Sequence, residues 1–283
     1  MSRNISLIGA GRVGRSLLSA LVNAGNNPAA IISRSSKSAG SLADLVECPL
    51  FGEDIALIPE ITDIIVLTLP DDSLDGVVEM IKKDWKYKPG TLVIHTSGIK
   101  ESSVLEPLRE CGAKTVSIHP VASFPATEIL SLEGIHFAVE GMEKDRAIEL
   151  VNSIGGIPFK IDAGKKALYH AACTFASGYI NVLLETSLEL MDKSGMEEAR
   201  DVVLSLAESS IEGWKNSGVG SLTGSVARGD VGSVRSHLES LENYDEQLEI
   251  YRILALKAVT ECEAKEILTH EKAEELKAAL KYN

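Results

Sequence analysis

Short runs of β-branched and apolar residues alternate with longer amphipathic stretches through the first half of the chain. The short runs predict strands, and the stretches between them predict helices, beginning with Arg12–Ala24 and Ser73–Lys83. The predicted strands are Asn4–Ile8, Ala29–Ser33, Asp63–Thr68, Thr91–His95, Lys114–Ser117, Ile135–Val139 and Pro158–Ile161. Strands that alternate with helices indicate parallel β-α-β units, so we predict an α/β fold with a doubly wound parallel sheet.

The β pattern disappears after the last of these strands. Lys166–Ser194 predicts one long helix, and Glu197–Asn216 predicts another. The long helix is apolar nearly all round, so we expect it to be buried. A loop rich in Gly and Ser follows at Ser217–Gly229, and three more helical stretches lead to the C-terminus. The pattern therefore predicts two domains, an α/β domain over residues 1–162 and a smaller all-α domain over residues 163–283.

Charge and composition exclude several classes of function. The 28 Lys and Arg against 41 Asp and Glu give a net charge of −13, which disfavours nucleic acid or an anionic membrane as the main partner. No apolar run reaches the ~18 residues of a membrane span. A strand predicted from Asn4 leaves no room for a signal peptide, and the four scattered cysteines form no metal or disulfide pattern. We expect a cytoplasmic protein without a metal site.

A glycine-rich turn joins the first predicted strand to the first helix. Its sequence is Gly9-Ala10-Gly11-Arg12-Val13-Gly14, which is the G-x-G-x-x-G pattern in its proper context. The first glycine permits a tight turn, the second leaves space for a pyrophosphate, and the third allows close packing of helix on strand. The exposed amides and the positive helix end would bind the phosphates, so these six residues predict a dinucleotide site.

The residues after the second strand predict which dinucleotide binds. An acidic residue there would accept hydrogen bonds from the ribose 2′-hydroxyl of NAD, but this strand is followed by Arg34 and Ser35. A guanidinium and a hydroxyl suit the 2′-phosphate of NADP instead. Leu69 and Pro70 follow another strand and are expected to line the adenosine and nicotinamide-ribose side of the site.

Polar residues also follow the next two strands. Ser97 and His119 should face the same crevice, because ligands of an open α/β sheet bind outside the carboxyl ends of its strands. They are candidate contacts for substrate or nicotinamide. The alternatives are a turn-forming serine and a partly buried structural histidine.

The long predicted helix carries a polar stripe. Lys166, His170, Thr174, Ser177 and Asn181 are spaced by three or four residues and should share one face. Polar groups on a buried helix cost stability unless they form hydrogen bonds or line a wet cleft, which favours a functional role. The alternative is that they are satisfied within a helical core.

The glycine-containing loop of the second half adds a further cation. Arg228 is expected to pair either with Asp230 or with a substrate carboxylate, and Asp230 is expected to cap the next helix.

Several motifs resemble those of a known superfamily. They are His95-Thr-Ser-Gly98, Ile118-His-Pro120 with Ser123-Phe-Pro125, Tyr169-His-Ala-Ala172, and Leu222-Thr-Gly224 with Arg228-Gly-Asp230. Over essentially the whole chain they resemble Rossmann-like NADP-binding proteins with a C-terminal domain of unknown function, in the superfamily of the 6-phosphogluconate dehydrogenase C-terminal domain. Some members are similar to an alternative type of ketopantoate reductase.

The resemblance implies roles for individual residues. Lys166 matches the catalytic lysine of the superfamily, and His170 stands where an asparagine often holds the substrate oxygen, so either could be the acid–base group. We therefore expect an NADPH-dependent reductase of a small 2-oxo acid such as ketopantoate, with Ser97, His119, Ser177, Asn181 and Arg228 binding the substrate. The alternatives are a cyclic imine reductase of the pyrroline-5-carboxylate type and a non-catalytic NADP sensor. A homodimer is expected by analogy.

Overall fold

The computed structural model describes residues 2–126 and 128–281. Internal contacts divide the chain into a first unit, Met1–Ser177, and a second unit, Gly178–Asn283. This division falls after the helix that opens at Lys166, later than the boundary predicted between residues 162 and 163.

A single sheet forms the centre of the first unit, and eight strands belong to it in the described part of the chain. The strands are β1 (Asn4–Ile8), β2 (Asn27–Ile32), β3 (Phe51–Gly52), β4 (Ile64–Leu67), β5 (Leu92–His95), β6 (Lys114–Pro120), β7 (His136–Gly141) and β8 (Ile157–Lys160). Their order is β3-β2-β1-β4-β5-β6-β7-β8. All neighbours are parallel except β6 and β7, so the predicted fold class is confirmed for a mostly parallel sheet.

Helices cover both faces of this sheet. The covering helices are α1 (Arg12–Asn23), α2 (Ser36–Val46), α3 (Asp71–Lys83), α4 (Glu106–Arg109) and α5 (Lys144–Ser153), and α6 (Lys166–Phe175) follows the last strand. Two apolar clusters form, one around Leu7, Leu18 and Phe137 and the other around Ile65 and Val78. The central strands β4 and β5 are wholly buried because they are covered on both faces.

The second unit is helical. It contains α7 (Gly178–Lys193), α8 (Ala199–Ser217), α9 (Val231–Ser240), α10 (Asp245–Ala264) and α11 (His270–Leu280). Its apolar cluster includes Val234, Val259, Cys262 and Leu276. No described helix is long and apolar enough to cross a membrane.

The expectation of one long buried helix is wrong in two respects. The segment is divided by a turn at Ala176 and Ser177, so α6 groups with the sheet and α7 belongs to the second unit. Both helices also expose large apolar side chains, such as Leu168 at 77%. Apolar composition on every face therefore does not mean burial within this chain.

Candidate active site

The carboxyl ends of four parallel strands lie side by side. Ile8 of β1 is in register with Leu67 of β4, Leu67 with His95 of β5, and His95 with Ser117 of β6. Residues that follow these positions therefore emerge at one edge of the sheet. The strand order reverses between β1 and β4, which is where ligands bind in folds of this kind.

The glycine turn lies at this edge and has the shape of a phosphate cradle. A Cβ atom at Gly9 would lie 2.3 Å from the Thr68 carbonyl oxygen, and one at Gly14 would lie 2.1 Å from the Gly9 carbonyl oxygen. Both positions therefore need glycine for packing. A Cβ at Gly11 would meet nothing within 4 Å, so the absence of a side chain there leaves open space. Gly11 precedes α1, whose N-terminus has no side-chain cap and no acidic residue in its first turn.

The turn after β2 presents Arg34 at the surface. Its guanidinium forms no hydrogen bond or ion pair with any residue in the described part of the chain. Ser35 caps α2 by accepting a hydrogen bond from the Ser38 amide at 3.3 Å. Glu53, which no sequence motif marks, accepts through its carboxylate a hydrogen bond from the Ser36 amide at 3.0 Å. An acidic group thus stands at the N-terminus of α2, one residue from Ser35.

Two clefts of the first unit open along the sheet edge. The first, of about 420 Å³, runs from the glycine turn to the ends of β4, β5 and β6 and includes Gly11, Arg12, Leu69, Pro70, Ser97 and His119. The second, of about 600 Å³, lies against α6 and includes His119, Tyr169, His170, Cys173 and Ser177. His119 lines both clefts, so it marks the place where they adjoin.

Lys166 lies behind the wall of the first cleft. Its side chain is only 1% exposed, and its Nζ donates hydrogen bonds to the Ser97 carbonyl oxygen at 2.9 Å and to Ser117 Oγ at 2.6 Å. Burial lowers the pKa of Lys166 from 10.5 to about 8, although Glu140 acts in the opposite direction. The lysine is therefore largely an ammonium at neutral pH, held next to a residue that lines the cleft.

His95 supports the turn that Lys166 contacts. Its Nδ1 accepts a hydrogen bond from the Ser97 amide at 3.2 Å, and its Nε2 lies 3.2 Å from the Glu101 carbonyl oxygen. Because a carbonyl can only accept, Nε2 must carry the proton. Burial, assisted by Lys166, lowers the pKa of His95 to about 3 and keeps the ring neutral. His95 begins one of the motifs in the sequence, but that motif alone does not indicate this supporting role.

The side chain of Ser97 also has a local function. Its Oγ accepts hydrogen bonds from the Lys100 amide at 2.8 Å and the Ile99 amide at 3.3 Å. Ser97 therefore forms the turn that the alternative interpretation expected, and it lines the first cleft as well. Its hydroxyl proton is not used by either of these hydrogen bonds.

The imidazoles of His119 and His170 meet over Gly98. Their ring centroids are 5.8 Å apart in an edge-to-face arrangement. A Cβ at Gly98 would lie 2.3 Å from His170 Cδ2 and 2.8 Å from His119 Nε2, so both rings pack against the bare backbone. Burial lowers the pKa of His119 to about 4, with smaller contributions from His170 and Lys166.

Only some residues of the predicted polar stripe line the same cleft. Thr174 and Ser177 line the second cleft with His170, but each hydroxyl donates to a carbonyl of its own helix segment, at 3.1 Å to His170 and 2.7 Å to Cys173. Asn181 lies in the second unit, because the helix is interrupted before it.

Arg228 also lies in the second unit. Its guanidinium donates to the Thr223 carbonyl, and its charge helps to lower the pKa of Asp230, after the hydrogen bonds from Ser233. Asp230 caps α9 as predicted, because its carboxylate accepts from the Ser233 amide at 3.0 Å.

Two family profiles match the sequence. Residues 2–120 match a Rossmann-like domain, and residues 135–258 match a domain of unknown function, DUF2520. The second match begins in the sheet of the first unit and extends through most of the second unit. No curated protein matches the sequence.

Solved structures share the fold over nearly the whole chain. A Bacteroides fragilis protein, assigned provisionally as an NADP oxidoreductase, is 23% identical with a TM-score of 0.73, over 91% of this chain and 98% of its own. An imine reductase from Myxococcus stipitatus, solved with NADP⁺, is 17% identical with a TM-score of 0.66, over 98% and 100%. A pyrroline-5-carboxylate reductase from Coxiella burnetii is 18% identical with a TM-score of 0.59, over 94% and 99%. At these identities the similarity establishes the fold.

Proposed function

We propose that this protein is an NADPH-dependent oxidoreductase that reduces the carbonyl group of a small 2-oxo acid, with ketopantoate as the leading candidate. The observation that carries the proposal is the buried Lys166 ammonium beside the wall of a cleft that begins at the glycine turn.

The cofactor assignment is supported by the first cleft. Gly9, Ala10, Gly11, Arg12, Val13 and Gly14 would hold the pyrophosphate, and the open space at Gly11 fits it. Arg34 and Ser35 would bind the 2′-phosphate, while Leu69 and Pro70 would line the nucleoside side of the cleft. NADPH, when bound, supplies the hydride. The NADP⁺ held by the Myxococcus stipitatus imine reductase supports the same cofactor here.

Lys166 favours a carbonyl substrate over an iminium. Reduction of a carbonyl builds negative charge on oxygen, and a nearby buried ammonium stabilises that charge. An iminium is already positive, so the same ammonium would oppose its binding. The two hydrogen bonds to Ser97 and Ser117 fix the position of Nζ, and the field of this charge is the protein's contribution to the reaction.

Proton transfer is assigned to His170. Its side chain lines the second cleft, whereas Lys166 is buried behind the first, so His170 can contact a substrate directly. Histidine is the side chain most often used for proton transfer near neutral pH. Ser97 and His119 would orient the substrate oxygens. Ser177 lines the second cleft and is a further substrate-binding candidate, whereas Asn181 and Arg228 of the second unit stay candidates from the sequence alone.

The test is NADPH oxidation with a panel of 2-oxo acids that includes ketopantoate. Turnover should fall by about 10²–10⁴-fold in His170→Gln and in Lys166→Met, the range associated with one positioned acid–base or electrostatic group. Lys165→Met is the matched control, since that neighbouring ammonium is exposed and pairs with Asp162 at 3.2 Å. Unchanged turnover in both active-site variants would refute the assignment, and NADPH binding without any turnover would favour a sensor.

Imine reduction is the second candidate, and the named neighbours favour it. The Coxiella burnetii and Myxococcus stipitatus proteins are reductases of this kind. Adding pyrroline-5-carboxylate to the panel separates the candidates. Faster turnover of the imine, together with an increase in that rate when Lys166 becomes Met, would overturn the assignment to a carbonyl.

A homodimer is also proposed. Helix α8 of the second unit exposes Leu206 at 57% and Trp214 at 66%, and a twin chain would cover such apolar surface. Sedimentation should give twice the mass of the chain, and Leu206→Glu should lower it. A monomer at all concentrations would refute this.

All four cysteines are free thiols, which supports a reducing compartment such as the cytoplasm.

A further inference from the structure

His119 forms a hydrogen bond with Tyr169, a residue that has no role in the proposed carbonyl reduction. Tyr169 Oη lies 2.8 Å from His119 Nδ1, and the two rings meet edge to face with centroids 5.7 Å apart. Tyr169 itself packs edge to face on Phe159 of β8, with centroids 6.0 Å apart. The phenol is thus anchored on the sheet and aimed at one particular nitrogen of His119.

The direction of this hydrogen bond follows from the chemistry of its partners. Burial, and after it a hydrogen bond with the Cys173 thiol, raises the pKa of Tyr169, so its hydroxyl keeps its proton. The thiol sulfur is only a weak acceptor and competes poorly for that proton. Burial lowers the pKa of His119 to about 4, so its ring is neutral near pH 7. A phenol is a better donor than acceptor, and the bare nitrogen of a neutral imidazole is a strong acceptor. The Tyr169 hydroxyl therefore donates to Nδ1, which leaves the proton of the ring on Nε2.

The Nε2 side of the ring faces the place where the clefts adjoin. It packs at the bare backbone of Gly98, with His170 beside it. Within residues 2–126 and 128–281, no group accepts a hydrogen bond from Nε2. Since His119 lines both clefts, this N–H remains available for a ligand.

We propose that Tyr169 is a positioning residue that fixes His119 in the Nε2–H tautomer, so that a neutral imidazole donates a hydrogen bond to a carbonyl or carboxylate oxygen bound where the two clefts adjoin. The nature of this oxygen rests on the proposed function, whereas the tautomer does not. A neutral donor orients an oxygen without releasing a proton, which divides the work between His119 and His170.

The tautomer is measured directly by long-range ¹H–¹⁵N spectra of the 283-residue chain labelled with ¹⁵N-histidine, at pH 7.5. The chain has six histidines, and His119→Gln identifies the signals of this one. In the native protein Nδ1 should have the shift of an unprotonated nitrogen and Nε2 that of a protonated one. In Tyr169→Phe the His119 signals should move toward a mixture of both tautomers. A protonated Nδ1 in the native protein, or no change in Tyr169→Phe, would overturn the proposal.

The second unit contains a matched control. His237 Nδ1 lies 2.8 Å from Tyr251 Oη, with ring centroids 5.6 Å apart in the same edge-to-face geometry. Tyr251→Phe should therefore change the signals of His237 and leave those of His119 in place. A response of His119 to both tyrosine variants would show a general disturbance and would overturn the specific role of Tyr169.

Ligand binding tests the remaining step, with oxamate as an unreactive analogue of a 2-oxo acid. In the presence of NADPH, oxamate should shift the His119 Nε2 signal, and Tyr169→Phe should weaken its binding by about tenfold, the value of one oriented hydrogen bond. Equal affinity of both proteins for oxamate would overturn this step. Failure of the proposed function is distinguishable, because absence of turnover on every substrate would leave the tautomer measurements unaffected.

Discussion

Replacement of Lys166 by Met is expected to change the pH dependence of folding in a way that few other substitutions would. Lowering the pKa of Lys166 from 10.5 to about 8 means that the fold disfavours the ammonium by about 3 kcal/mol, since a tenfold change in an ionisation equilibrium is worth about 1.4 kcal/mol. Methionine removes this cost, because it has similar length and no charge. It also leaves the Ser97 carbonyl and the Ser117 hydroxyl without the Nζ donor, which costs about 1–3 kcal/mol. At pH 7 the two effects nearly cancel.

The difference emerges as the pH rises. Between the folded pKa of about 8 and the ordinary value of 10.5, the unfolded chain keeps the Lys166 proton while the native chain has released it. The native protein therefore gains stability over this window, by about 3 kcal/mol in total. Lys166→Met lacks this gain. The free energy of unfolding of the native protein, minus that of the variant, should thus rise by about 3 kcal/mol from pH 7 to pH 10.5.

The assay is urea unfolding followed by tryptophan fluorescence. The chain has one tryptophan in each unit, so a Trp214→Phe background leaves Trp85 as the reporter of the first unit. Other groups titrate in both proteins and cancel in the difference. Lys165→Met removes an exposed ammonium and is the control for loss of a charge. Parallel pH profiles for native protein and Lys166→Met would refute the argument, because they would show that the buried ammonium has no energetic cost.

The remaining predictions concern the cofactor and the neutral histidine. Gly11→Ala should weaken NADPH binding at least tenfold in fluorescence titration, because the added Cβ occupies the space proposed for the pyrophosphate. The unfolding temperature should stay unchanged, because this Cβ meets no protein atom within 4 Å. The control is Gly76→Ala in α3, where a Cβ also has room and NADPH binding should stay intact. Arg34→Ala should raise the Kd of NADPH by about 10–100-fold and leave that of NADH within about twofold, and equal losses for both cofactors would contradict recognition of the 2′-phosphate. Glu53→Gln should tighten NADPH binding by removing a carboxylate from the N-terminus of α2, and weaker binding in the same titration would contradict this. Because the pKa of His95 is lowered to about 3, the unfolded chain takes up a proton at this histidine first as the pH falls below 6.5. The native protein should therefore lose about 3 kcal/mol of stability relative to His95→Gln between pH 7 and pH 4. Equal changes of unfolding free energy with pH in the two proteins, measured by urea unfolding, would contradict a neutral buried ring.

Much of the sheet could be predicted because its signals are local. Apolar runs and the glycine turn identify β1, β4 and β5 to within about one residue of their observed ends. The direction of β7 could not be predicted in this way, because strands running in either direction have the same side-chain alternation. It is antiparallel to β6, and no helix is present in the described residues between them to return the chain for a parallel strand.

The interruption between α6 and α7 was harder to predict. The residues on both sides of the interruption continue the helical spacing of apolar positions, and Gly178 alone is a weak signal for a helix end. Periodicity also indicates which side chains are apolar but not what covers them, so the exposure of Leu168 could not be read from the pattern.

For the site, strand ends correctly indicated that Ser97 and His119 would line one cleft. The positions of His95 and Tyr169 depend on contacts between residues that are distant in sequence, and a sequence pattern does not contain them. His95 ends an apolar strand and resembles a core residue. Tyr169 approaches His119 only because α6 packs on the same unit as the sheet.

The lack of a side chain at Gly98 also limits how this site can change in evolution. Alanine at this position would collide with two imidazoles at once, so a single substitution would displace both. In an alignment of relatives, the positions equivalent to Gly98, His119 and His170 should therefore vary together. A sequence that gains a side chain at the first position should also have lost the pair of histidines, and with them the proposed hydrogen bond to a substrate oxygen.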